Sequence, residues 1–247
     1  MDNAIYLSLQ QQRVLSTQLD IVANNLANVT TTGFKGEIAR FAEASVTPAA
    51  DQDSPRDIRF VRDNGLVRNL TQGAVLRTEN PLDLAVEGDG FFVVQGPDGP
   101  LYTRDGSFAL DPNGALVTKD GLPVLDSGNA PILVPPDSGP LGIGKDGTIT
   151  AGLTQIGQVG IVQFQAAERL QKVGSNRYEA NGQAPIASPN SRIVQGALEG
   201  SNVSPVVEIS RLIEISRAYE AAARFQNNLH ELRGRAIARL AGSSQAA

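Results

Sequence analysis

Cysteine and tryptophan are absent from this chain, histidine occurs once, and aromatic residues make up only 5% of it. Without cysteine there is no disulfide, no thiolate metal site and no cysteine nucleophile. With His230 as the one histidine, clustered histidine metal sites are excluded. The shortage of aromatics argues against a large aromatic-lined pocket, and so against a small-molecule enzyme. A net charge of -5 argues against nucleic acid as a partner, since its binders carry a basic patch. No apolar run reaches the length of a membrane span, so no membrane insertion is expected. Residues 1–22 hold one basic residue, Arg13, and no uninterrupted apolar stretch, so no cleaved secretory signal peptide is expected.

Both ends of the chain carry an apolar seam. Ile5, Ser8, Gln12, Leu15, Leu19, Val22, Leu26 and Val29 follow alternating steps of three and four, the heptad pattern of a helix with one buried stripe. Ser8 and Gln12 weaken that stripe toward the N-terminus. Asn24, Asn25 and Asn28 are poor interior helix formers, and their amides can bond across a helix interface or to loop backbone. The β-branched Thr30-Thr31-Thr32 and then Gly33 predict the stop. At the other end, Ser204-Pro205 supplies an N-cap and a first-turn proline. Leu212, Ile215, Tyr219, Ala222, Gln226 and Leu229 then form a second seam. A helix over 204–240 measures about 54 Å, more than a small domain needs to cover one sheet.

The middle has a different texture. Residues 36–76 lack sustained periodicity and read as an extended linker, with a short strand near Ile58, Phe60 and Val61. From Glu79 onward, runs such as Phe91-Phe92-Val93-Val94 and Ile161-Val162-Gln163-Phe164 alternate with Asp-Gly and Asn-Gly turns. The expected fold is therefore α+β: long N- and C-terminal helices, coiled-coil-like, around a mainly antiparallel β central domain. The expected boundaries are 1–33 for the N-terminal helix and its turn, 34–76 for the linker, 77–200 for the β-domain and 201–247 for a C-terminal helix packing on the first.

Chemistry finds little to stand on. Asp111-Pro112-Asn113-Gly114 resembles part of a calcium loop but lacks the spacing and the closing Glu, and hairpin turns explain it. Gly88-Asp89-Gly90 has no third glycine and no following helix. Glu87 and Asp89 could serve glycoside chemistry only as a carboxylate pair, for which they are weak candidates. His230 lies among polar residues, where a solvated side chain is the simpler reading. No nucleophile, base and orienting group fall at a recognisable spacing. No catalytic residue, cofactor or metal is expected.

Several stretches carry a resemblance. Ala23-Asn24-Asn25-Leu26-Ala27-Asn28-Val29 through Gly33-Phe34-Lys35, Asn80-Pro81-Leu82-Asp83-Leu84-Ala85-Val86-Glu87-Gly88-Asp89-Gly90-Phe91-Phe92-Val93, Tyr102-Thr103-Arg104-Asp105-Gly106-Ser107-Phe108 and Leu198-Glu199-Gly200-Ser201-Asn202-Val203 resemble, in order, the bacterial flagellar rod and hook proteins. The opening Met1-Asp2-Asn3-Ala4-Ile5-Tyr6 resembles that of proximal rod members, with distal rod members the alternative. The resemblance implies a non-enzymatic axial subunit of the basal body, exported by the flagellar type III apparatus and polymerising in the periplasm with itself and neighbouring rod proteins. It also implies that the terminal helices form the inner layer of a tube. The expected assembly residues are Leu15, Leu19, Val22, Asn24, Asn25, Leu26, Asn28, Val29, Leu212, Ile215, Tyr219, Ala222 and Leu229. The competing readings are a secreted β-domain hydrolase, which needs a deep acidic cleft, and an adhesin-like binding module, which needs an aromatic platform.

Overall fold

A computed structural model describes residues 2–46, 58–136 and 139–243. The chain divides into two compact units. One comprises Met1–Ala27, Glu37–Val67 and Ser204–Ala247, and the other Asn28–Gly36 and Arg68–Val203.

In the first unit, α1 (Asp2–Ala27) and α2 (Pro205–Ser243) pack on each other, joined by β1 (Glu37–Val46) and β2 (Ile58–Arg68), which pair as a two-stranded sheet. The helices run antiparallel: Asn25, near the end of α1, reaches Glu208 in the first turn of α2, and Val22 and Ile215 line one groove. α1 starts at Asp2 despite the polar residues in its early seam, and Ser8 is itself buried. It ends at Ala27, with Asn28 and Val29 still ahead of the threonine run, and Thr31 donates its N–H to the Asn28 carbonyl in the turn that follows. α2 starts at Pro205, and the Glu208 N–H closes its first turn on the Ser204 carbonyl. Within 34–76, read from sequence as a linker, the two long strands β1 and β2 stand out. Their pairing is a contact between segments, which no periodicity within either one encodes.

Among the described residues, the elements of the second unit are β-strands apart from one short turn of 3-10 helix. Its largest sheet has six strands, in the order Gln171–Lys172, Arg177–Glu179, Pro100–Thr103, Phe91–Gln95, Ile161–Gln163, Ile186–Ala187. Among the described residues, every strand pairing in the unit is antiparallel. The run Phe91-Phe92-Val93-Val94 does not alternate because both faces of its strand are covered. Phe92 and Val94 enter one core with Leu84, Val86, Leu116 and Ile193. Phe91 and Val93 enter another with Tyr102, Phe164 and Tyr178. The few aromatics are concentrated here, edge to face: Phe92 on Phe108 at 5.1 Å, Tyr102 on Phe164 at 4.8 Å and Phe91 on Tyr178 at 6.0 Å.

The aspartates of the turns serve their own loops. The Asp111 carboxylate accepts the N–H groups of Asn113 and Ala115, Asp126 those of Gly128 and Ala130, and Asp146 those of Thr148, both backbone and hydroxyl. These bonds hold the Asp146 carboxyl below the usual carboxylate range. Such Asx-type turns explain the aspartates without a cation.

Candidate assembly surface

The helix unit is organised around one buried amide. The Asn25 side chain accepts the Glu37 N–H at 2.9 Å and donates to the Glu37 carbonyl at 2.8 Å. Asn25 therefore fills both bonding sites of a strand residue at the start of β1. Its amide also donates to the Glu208 carboxylate at 3.3 Å, and Arg211 holds the other Glu208 oxygen at 2.8 Å. Asn25 and Glu208 are 3% and 5% exposed, so each polar atom here must be paired to be tolerated. One side chain thus ties together the end of α1, the start of β1 and the first turn of α2.

The expected assembly residues are placed as follows. Val22, Asn25 and Ala222 are buried; Leu15, Leu19, Leu26, Leu212, Ile215 and Leu229 are half-buried; Tyr219 is 38% exposed and Asn24 is exposed. The structure brings Val22, Asn25 and Ile215 to one groove. Asn28 and Val29 belong to the turn at the edge of the β unit, where Asn28 accepts the Thr31 hydroxyl. Beyond those seams, the helices leave further apolar side chains in solvent: Leu7, Leu9, Val206, Val207, Ile209, Ile213, Phe225 and Leu232, each more than 40% exposed. Ile209 and Ile213 are one helical turn apart, as are Val206 and Ile209, so they form a stripe flanking the half-buried seam. Among the described residues, neither helix is long and apolar enough to cross a membrane.

A second polar cluster lies inside the β unit. Lys35 is 1%, Arg104 3% and Glu199 0% exposed. One Glu199 oxygen takes the Lys35 ammonium at 2.5 Å and the Gly73 N–H at 2.9 Å; the other takes Arg104 at 3.3 Å. Lys35 also donates to the Thr71 carbonyl, and Arg104 to the Gly88 carbonyl while lying over the Phe91 ring. Two cations share one carboxylate in a dry place. Burial lowers the Lys35 pKa, and Arg104 adds to that, while Glu199 opposes it.

Above this triad the chain segments are stitched by Asn202. Its side chain accepts the Gly36 N–H and donates to the Asn69 and Thr71 carbonyls, all within 2.9 Å. The Gly33 N–H bonds the Glu199 carbonyl at 2.7 Å and the Asn69 N–H the Gly36 carbonyl at 2.8 Å. Gly33 has φ +65°, and a Cβ there would sit 2.5 Å from the Arg104 backbone, so only glycine fits. Lys35, Arg104, Glu199 and Asn202 all lie in the stretches that resemble the rod and hook proteins, and none of them is a site residue expected from its own local pattern. The available signal was charge beside glycine in otherwise apolar strand sequence.

Three family descriptions match the chain. "Flagella basal body rod protein" covers residues 7–35, "Flagellar hook protein FlgE/F/G D1 domain" residues 85–151, and "Flagellar basal body rod FlgEFG protein C-terminal" residues 194–239. Full-length relatives agree. The chain is 45% identical to the flagellar basal-body rod protein FlgF of Caulobacter vibrioides, over 97% of this chain and 98% of the relative. It is 32% identical to FlgF of Mesorhizobium japonicum over 99% of this chain and all of the relative. It is also 32% identical to the rod protein FlgG of Bacillus subtilis, over 94% and 97%.

Proposed function

The chain belongs to the family of flagellar basal-body rod proteins, and from that premise we propose that it is an axial rod subunit that polymerises through α1 and α2 and displays its β unit on the outside. It is a structural component, without an enzymatic role. It leaves the cytoplasm through the flagellar type III apparatus with no cleaved signal peptide and assembles in the periplasm, against copies of itself and neighbouring rod proteins. Residues 1–33 and 201–247 serve assembly, 34–76 links them to the β-domain, and 77–200 is what the subunit displays. The 45% identity to the FlgF of Caulobacter vibrioides over 97% of this chain, against 32% to 36% for FlgG relatives, supports the proximal-rod type.

The observation that carries this reading is the apolar surface left on both helices. A half-exposed Ile, Leu or Phe gains about 1 kcal/mol when a partner covers it. Covering Val206, Ile209, Ile213, Phe225 and Leu232 then yields roughly 5 kcal/mol, close to the low end of what association costs in lost freedom. One neighbour therefore binds weakly, and a lattice in which each subunit meets several neighbours is stable. The seam residues Leu19 and Leu229 test this. Leu19→Asp or Leu229→Asp is expected to leave the β unit folded and to abolish both recovery of the chain in purified basal bodies and swimming. Normal swimming in both variants overturns the reading.

A further inference from the structure

The chain passes between its two units four times, after Ala27, Gly36, Val67 and Val203. Three of those passages meet inside the β unit. Gly36 stands just before one, Asn69 just after another and Asn202 just before the third. The Asn202 side chain accepts the Gly36 N–H at 2.8 Å and donates to the Asn69 carbonyl at 2.7 Å, and the Asn69 N–H donates to the Gly36 carbonyl at 2.8 Å. We propose that residues 32–36 are a strap that docks into the β unit and leaves it as one piece, and that docking clamps these three passages at one point. The clamp lies within the β unit and does not depend on how subunits assemble, so its test is separate from that of the rod reading.

The strap is held as a bound peptide would be. Residues 33–36 are all buried, yet among the described residues they belong to no sheet and to neither hydrophobic core. Polar bonds do most of the holding. The Asn176 amide donates to the Thr32 carbonyl at 2.7 Å, the Gly33 N–H to the Glu199 carbonyl at 2.7 Å, and the Asn202 N–H to the Phe34 carbonyl at 3.3 Å. The Lys35 ammonium meets the Glu199 carboxylate and the Thr71 carbonyl. Phe34 is the strap's one large apolar side chain, 2% exposed, with the Lys172 ammonium 4.9 Å from its ring centre. Removing the strap therefore takes no side chain from either core.

The bonds are shared, so they break together. One Glu199 oxygen serves both Lys35 and the Gly73 N–H, and the Thr71 carbonyl accepts from both Lys35 and Asn202. When Lys35 leaves, the acceptors that also hold Gly73 and Asn202 lose a partner, and those bonds weaken with it. Released, Lys35 regains the hydration whose loss lowers its pKa, which offsets part of the bonds given up. Such an opening frees the strap and its slot while the cores stay closed, an order–disorder step short of global unfolding.

Amide hydrogen exchange on the isolated full-length chain, resolved by residue and repeated in low urea, tests this. The N–H groups of Gly33, Gly36, Asn69, Gly73 and Asn202 report on the strap and its slot. Those of Val124, Leu125 and Ile132 report on the cores. The five are expected to share one opening, with protection at least about tenfold below that of the core amides and a smaller but measurable urea slope. Exchange of the five only together with the core amides, or at unrelated rates without a urea slope, overturns the clamp. Asn202→Ala probes its reach, because Gly33 and Gly73 give their N–H groups to Glu199 and not to Asn202. In that variant both are expected to exchange about tenfold faster, in step with Gly36, with the core amides unchanged. Acceleration confined to Gly36, or equal acceleration of the core amides, overturns the clamp as well. Where the variant does not fold, the wild-type measurement decides.

Discussion

Replacing Glu199 by glutamine removes one negative charge and almost no volume, at the point where two cations depend on it. In the wild-type chain, Lys35 and Arg104 share that carboxylate with the Gly73 N–H, and none of the three side chains is more than 3% exposed. In Glu199→Gln an amide oxygen can still accept a hydrogen bond, but the two positive charges lose the carboxylate that contacts them and keep only the more distant Asp89. Removing one partner of a buried ion pair costs about 3–5 kcal/mol. Lys35 can limit the loss by giving up its proton, because its pKa is already lowered. Against a total stability of about 5–15 kcal/mol, the change consumes a large share. For a folded unit of this size it lowers the melting temperature by roughly 6–20 °C. The chain has no tryptophan, so the buried Tyr102 and Tyr178 are the reporters, followed by near-UV circular dichroism during heating. Lys35→Met is the control: it leaves one cation on one carboxylate and an apolar chain in the dry space, and is expected to cost much less. The reasoning is refuted if Glu199→Gln melts within about 2 °C of wild type, or if Lys35→Met is equally damaging.

Three more outcomes are expected. The lowered pKa of Lys35 gives its contribution to stability a definite sign with pH. Between that lowered value and the ordinary 10.5, the unfolded chain holds a proton that the folded chain has lost, so this group makes stability rise with pH in that window; below it the burial cost stays whole. Urea titrations across that range should show the contribution in wild type and not in Lys35→Met. Asn25→Ala strands the N–H and carbonyl of Glu37 in a buried place, at a cost of about 2–3 kcal/mol. The Glu37 amide is then expected to exchange with deuterium more than about tenfold faster, while amides of the β unit keep their protection. Gly33→Ala must shift the backbone at Arg104 and holds alanine at positive φ, so the melting temperature is expected to fall by an amount corresponding to about 2 kcal/mol or more.

What could be read from the sequence was what neighbouring residues encode. The seams of α1 and α2, the stop at Thr30-Thr31-Thr32-Gly33, the start at Ser204-Pro205 and the Asp-Gly turns are all local patterns. They recur in the structure as helices from Asp2 to Ala27 and from Pro205 to Ser243 around antiparallel strands. Asn25 was legible as an amide able to bond helix or loop backbone, and it bonds a strand backbone and a helix side chain together. Its neighbour Asn24 has the same composition signal and is exposed, because only one of two adjacent helix positions faces the seam. The pairing of β1 with β2 was hidden because register is a relation between two segments. So was the triad: Lys35 and Glu199 meet across 164 residues, and nothing beside either one names the other. The exposed Ile209 and Ile213 fell outside a seam defined by heptad steps alone, and only their accessibility distinguishes them from buried residues.

On the proposed function, the paired termini hold subunits together and carry the β unit. A density map of purified basal bodies, with this chain placed in the rod, tests it most directly. The expected map has α1 and α2 forming the inner wall against the helices of neighbours, covering Val206, Ile209, Ile213, Phe225 and Leu232, with the β unit outside. A wall built from β units, with both helices facing solvent, would contradict it.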